Sequence, residues 1–177
     1  MFIRLPRRST YRRRVVKPLR KIISGGQTGV DQAALRAALA CGLAIGGWCP
    51  PGRTCESGVI PSKFTLQGTP LERSPDAPDV PRSQRTEWNL RDSDATLILR
   101  PPHLTDPGTQ WAVRCVIQYR RPFLKCNPTD RQTSTIIAEW LQTLSVQTLN
   151  VAGPSERCLP GIGEQVYSLL VTVFGSE

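Results

Sequence analysis

Five short apolar runs punctuate the chain, at about residues 20–24, 44–48, 95–99, 123–126 and 148–152. Each is bounded by glycine, proline or polar residues and is too short for a helix, so each reads as a buried strand. Between them, apolar residues recur at helical spacing over about 30–40, 83–91, 109–119, 130–141 and 162–174. Gly42 stops the first of these helices, and Arg121-Pro122 closes the third. Strands alternating with helices predict an α/β chain, with an open parallel five-stranded sheet carrying helices on both faces.

Residues 50–82 break the rhythm. Seven prolines (50, 51, 61, 70, 75, 78 and 81) exclude a helix or a central strand. A loop this long in a compact domain serves as a functional covering more often than as a connector.

Open parallel sheets bind ligands outside the carboxyl ends of their strands, and the unusual polar clusters of this chain follow its strands. Ser24-Gly25-Gly26-Gln27-Thr28-Gly29-Val30-Asp31 follows the first, Trp48 to Arg53 the second, Asp106-Pro107-Gly108-Thr109 the third, and Gly153-Pro154-Ser155-Glu156 the fifth. The helix over 83–91 runs antiparallel to the strands, so Arg82, Arg85, Thr86 and Asn89 start at that same edge. Asp92 and Asp94 end at the far one, where a helix-to-strand turn is the better reading than a metal site. A strand, a glycine turn and a helix start place free N–H groups and a positive dipole end together at residues 25–31, which suits a phosphate. The turn lacks the Gly-Lys-Ser/Thr ending of a Walker loop and does not fit G-x-G-x-x-G. Its chemistry therefore points to an anion without naming one, and a tight turn with no ligand stands beside that reading. Arg85 is either an anion clamp or one half of a surface ion pair with Glu87 or Asp92. Trp48, at a strand end, can stack on a flat heterocycle, whereas Trp88, Trp111 and Trp140 fit helical core positions.

The net charge of +9 changes the picture only once it is located. Nine basic side chains and no acid lie within residues 1–21, which leaves fourteen bases against fourteen acids in the rest. Residues 1–18 read as a disordered basic extension, residues 19–177 as a single domain. The extension lacks the apolar core of a signal peptide, which argues against export. Its contacts with nucleic acid would be nonspecific and salt-sensitive, and its removal is expected to leave folding and ligand binding intact. No membrane segment is expected.

Six cysteines (41, 49, 55, 115, 126 and 158) form no Cys-x-x-Cys pair, and His103 is the single histidine. A zinc site built from Cys and His pairs is not expected, and the one histidine, set in a proline loop, excludes the usual Ser-His-Asp and Cys-His nucleophiles. The thiols read as reduced and mostly buried, as in a cytoplasmic protein, with Cys49 and Cys55 left open because their loop lies near the glycine turn.

Taken together, SGGQTGVDQAAL at 24–35, GGWCPPGR at 46–53, QRTEWNLRDSDATLIL at 84–99, LNVAGPSE at 149–156 and PGI at 160–162 resemble the molybdenum cofactor carrier proteins. These belong to a wider Rossmann-like group that includes the lysine-decarboxylase-like nucleotide phosphoribohydrolases. The resemblance runs from about Leu19 to the C-terminus. It implies a Rossmann-like three-layer fold and a cytoplasmic homotetramer. It also implies binding of the molybdenum cofactor (Mo-molybdopterin), a pyranopterin with a terminal phosphate and a dithiolene-bound metal, which the protein would shield from oxidation and pass to an apo-molybdoenzyme. The candidate cofactor-binding residues are Gly25, Gly26, Gln27, Thr28, Gly29, Asp31, Trp48, Arg53, Arg85, Thr86, Asn89, Gly108 and Thr109, with no catalytic residue and no protein metal ligand assigned.

Pro107 stands where the resembled pattern has the first glycine of a Gly-Gly-Thr turn, and it lacks the N–H that a second anion nest would use. A phosphoribohydrolase-like N-glycosidase is the competing reading. The first turn of the helix after Gly108-Thr109 carries Gln110, Trp111, Ala112 and Val113 and no carboxylate, so acid–base chemistry would fall to Asp31, Glu87 or Glu156. A nucleotide-binding sensor makes the same demands on the sequence as a carrier.

Overall fold

The computed structural model describes residues 19–175. The chain runs β1 (Lys21–Ile23), α1 (Val30–Ala40), β2 (Ala44–Gly46), β3 (Trp48–Cys49), β4 (Thr54–Cys55), β5 (Gly58–Val59), β6 (Gln67–Gly68), α2 (Ser83–Arg91), β7 (Ala95–Leu99), α3 (Pro107–Gln118), β8 (Phe123–Cys126), α4 (Thr133–Thr143), β9 (Thr148–Ala152) and α5 (Ile162–Phe174). The basic extension over 1–18 lies outside the described residues.

Five strands form one parallel sheet in the order β2-β1-β9-β7-β8. Counted from β9 instead of β1, that order reads 3-2-1-4-5, the doubly wound arrangement with its first strand moved to the end of the chain. Ile22 lies opposite Ile45 on one side and Leu149 on the other, and Leu97 lies between Val151 and Leu124. All five residues of β7 are buried, as a strand covered on both faces must be. Leu97 and Leu99 join the core under α1, α4 and α5 with Ala34, Val151, Val166 and Leu170, while Ile98 faces Leu90, Trp111, Ala112 and Cys115 of α2 and α3. The two layers of helices follow from this alternation.

The run expected over 44–48 breaks in two at Gly47. Its φ of 121° turns the chain, and a Cβ there would lie 2.5 Å from the Ser24 carbonyl oxygen. Trp48-Cys49 therefore leaves the main sheet and pairs with Gln67-Gly68. The proline-rich stretch is ordered by this ribbon, by the β4–β5 hairpin and by a small core of Cys49, Cys55, Ile60, Phe64 and Leu66 packed on Leu35 of α1. Helix α3 begins at Pro107 rather than Thr109, and α4 at Thr133 rather than Asp130. Asp130 sits outside α4, where its carboxylate accepts from the Gln132 N–H at 3.0 Å.

Candidate functional site

The segments after β9 and β7 leave the sheet toward opposite faces, and the gap between them is the crevice in which doubly wound sheets hold ligands. A cavity of about 70 Å³ lies there, lined by Asp31, Arg85, Thr86, Asn89, Asp106 and Asn150 among others. A wider outer part of about 280 Å³ continues it past Gln27, Arg82 and Ser155 and shares Arg85, Thr86, Asp106 and Gly108 with it.

Asp31 and Arg85 form its charged centre. Arg85 Nη1 donates to Asp31 Oδ2 at 3.0 Å, with the two side chains 16% and 2% exposed. This buried partner replaces the surface pair with Glu87 or Asp92. Burial pushes the Asp31 carboxyl up, against the opposing pull of Arg85 and of the Gln27 N–H, which donates to the same oxygen. The guanidinium passes so close to Gly25 that a Cβ there would fall 1.9 Å from Nη1. Two donors on crevice-lining residues, Arg85 Nε and Gln27 Nε2, are buried without an acceptor. The N–H groups of Gly25, Gly26 and Gly29 likewise have no acceptor among the described residues.

The glycines of the first turn have packing duties as well. Gly29, at φ 81°, abuts backbone: a Cβ would lie 2.6 Å from both the Glu156 nitrogen and the Pro154 oxygen. Gly26, at φ 76°, sits under Leu66 and Ile60 of the long loop, which therefore covers the turn. Thr28 is turned away from the crevice and donates to Glu56 Oε2 at 2.8 Å. Glu56 also accepts from the Ser155 hydroxyl at 2.6 Å and the Arg157 N–H at 3.3 Å. Burial raises its carboxyl, but these bonds outweigh it and hold the group below its usual range. The side-chain oxygen Oε1 of Gln27 accepts from the N–H groups of Thr28 and Glu56.

Gly108 and Thr109 reach the crevice, yet the helix start beside them, where Pro107 already removes one donor of an anion nest, is filled from within. Asp106 caps α3, accepting from the Thr109 N–H at 2.8 Å and its hydroxyl at 2.6 Å. Pro107 occupies the first helical position, where an N–H would be orphaned in any case. Asn89 lines the crevice, but its amide is spent on the backbone of Trp48, accepting from the N–H and donating to the carbonyl, both at 2.8 Å.

Besides Thr28, two further candidates are not brought to the crevice. Arg53 donates to the carbonyls of Leu66, Phe64 and Pro61 at 2.7, 2.8 and 3.3 Å and so ties down the covering loop. Trp48 donates from Nε1 to Asp92 at 2.7 Å, packs edge-on against Trp88 and lines a separate groove beside β1 and β2. Cys49 and Cys55 are buried in the apolar core of that loop, and burial raises the Cys49 thiol. Asp94 accepts from the N–H groups of Gln147 and Thr148, as its place in a turn requires. Asp106, Asn150 and Glu56 are additions from the structure. Asp106 was signalled by Asp-Pro-Gly-Thr, a helix start with its own cap, and Asn150 by being the one amide inside an apolar strand. No local pattern marks Glu56. Among the described residues, no three His, Cys, Asp or Glu side chains gather as a metal site, and no helix is long and apolar enough to cross a membrane.

The model of the circularly permutated YpsA SLOG family matches residues 22–174. A crystal structure from Syntrophus aciditrophicus SB, described as a "Putative molybdenum carrier protein", superposes with a TM-score of 0.75 at 35% sequence identity, covering 88% of this chain and 94% of that one. No curated protein sequence matches the chain.

Proposed function

Because this chain belongs to the circularly permutated YpsA SLOG family, we propose that it binds the molybdenum cofactor in the crevice between β9 and β7. In this reading it shields the cofactor and releases it to an apo-molybdoenzyme. The observation that carries the reading is the set of buried donors without acceptors on Arg85 and Gln27, beside the free N–H groups of the glycine turn. Unpaired buried donors cost about 1–3 kcal/mol each, so this edge of the crevice gains most from an acceptor-rich or anionic guest. A pterin rim and a phosphate both answer that description. The inner cavity of about 70 Å³ cannot hold a tricycle alone. With its outer part it reaches the ~300 Å³ of the smallest ligand pockets. The loop held down by Arg53 covers the turn and limits access of water and oxygen to it. Cytoplasmic location and a homotetramer belong to the same proposal.

Protein purified without oxygen is expected to carry a pterin mass and molybdenum, read by native mass spectrometry and metal analysis, and Arg85→Gln is expected to lose both. A wild-type protein that retains neither pterin nor molybdenum after incubation with cofactor released from a molybdoenzyme would defeat the proposal.

One observation favours the N-glycosidase reading as a second choice. Of the three carboxylates left for acid–base work, only Asp31 lies in the crevice, and burial raises it toward a proton-donating role. Glu87 accepts from Ser74 and Tyr119 away from the crevice, and Glu156 accepts from the N–H groups of Gly161 and Gly163 at the start of α5. Release of free base from nucleoside monophosphates by the wild type, absent in Asp31→Asn, would select this reading.

A further inference from the structure

A second cavity, of about 320 Å³, opens on the other side of Asp106 and Thr109, between α3 and the end of β8. It is lined by three cations, Arg100, Arg114 and Lys125, and by a single carboxylate, Asp106. Arg100 is the informative one. Its Nε and Nη1 are buried without a hydrogen-bond acceptor, and it makes no ion pair with any described residue. Arg100 is half-buried as a residue; a guanidinium cannot shed its proton to escape even partial burial, and shielded donors are costly while unpaired. The nearby carboxylate does not discharge that cost: Asp106 forms no ion pair with Arg100, and its oxygens are turned to Thr109 as the cap of α3. Arg114 and Lys125 are exposed and flank the recess, adding charge without closing it.

We propose that this recess is a second anion site, for a phosphate-class group, in which Arg100 donates from the Nε–Nη2 edge of its guanidinium and Arg114 and Lys125 close around the charge. A planar donor fork matches the tetrahedral oxygens of phosphate. The site stands on its own geometry and does not depend on what fills the crevice between β9 and β7. Its occupant is either a separate phosphorylated compound or the phosphate of a ligand that reaches across Asp106 and Thr109 from that crevice.

The test uses the full chain with arginine side chains labelled with ¹⁵N, following the Nε–H resonances of Arg100 and Arg85 while inorganic phosphate or pyrophosphate is added. The Arg100 resonance is expected to shift saturably, with affinity falling about tenfold in the double variant Arg114→Gln/Lys125→Gln, the scale of losing charge-assisted contacts. Arg100→Gln should melt no lower than the wild type without phosphate, because it removes an unpaired charge, and should lose the phosphate-dependent rise in Tm. An Arg100 resonance that stays put in phosphate, or an affinity unchanged in the exposed double variant, would overturn the site. The Arg85 resonance reports separately on the crevice, so failure there leaves this outcome readable. Adding a phosphate-bearing pterin distinguishes the two sources. A shift of both resonances at one ligand per chain identifies a single bridging ligand, and a shift of Arg100 only with free phosphate identifies a separate one.

Discussion

Arg85 crosses from α2 to lie against the backbone of Gly25 and end on Asp31 at 3.0 Å. The pair fastens the glycine turn to the opposite layer of helices. Removing one partner of a buried pair strands the other and costs about 3–5 kcal/mol. Asp31 can soften this by taking up a proton, since burial already raises its carboxyl and the loss of Arg85 raises it further. A group raised in the folded state supports folding most below its unfolded value and loses that support as pH climbs through the folded one. Arg85→Ala should therefore fall furthest below the wild type at about pH 7.5 and least at about pH 5, in urea unfolding at both.

Gly29→Ala is expected to destabilise by about 3–4 kcal/mol, combining a left-handed backbone with a Cβ driven into two backbone atoms. Gly42, also at positive φ but facing open space, supplies the comparison, and its alanine variant should lose only about 1–2 kcal/mol. Equal losses of Tm in the two variants would remove the packing role given to Gly29.

Glu56 joins the β4–β5 hairpin to the glycine turn and to the segment after β9. Its carboxyl is lowered in the folded protein, so its support is present above the unfolded value and disappears as pH falls through the folded one. Glu56→Gln should be less stable than the wild type at neutral pH, with the gap closing as pH falls below the ordinary Glu range in denaturant titrations.

Arg53→Ala should leave global stability nearly intact while releasing the covering loop. Hydrogen exchange is the measurement, with protection over residues 60–68 expected to fall roughly tenfold and that of β7 and β9 to hold.

The strands and helices were legible because each carries its own period, and even α5 begins and ends where its apolar spacing does. The ligand edge was legible for the same reason, since strand direction fixes which end of each helix meets it. Side-chain destinations were harder. Arg85 was placed at the edge, but its partner sits 54 positions away on α1, and only the stacking of layers selects Asp31 over Glu87. Arg53 follows a strand as a ligand-binding arginine would, yet the covering loop offers three inward carbonyls within reach, and a guanidinium takes them. Trp48 was diverted by Gly47, whose positive φ depends on how closely Ser24 and Asn89 approach it, a distance no local pattern encodes.

The order of the sheet also sets a timetable for assembly. β9 joins β1 to β7, so before it is made the chain holds two separate ribbons, β1 with β2 and β7 with β8. The central strand leaves the ribosome after the other four strands of the sheet, and each ribbon must wait with an open edge until it arrives. Such edges invite pairing between chains, and long-range closure is slow. The hazard for this protein thus falls in the interval between the synthesis of β8 and that of β9.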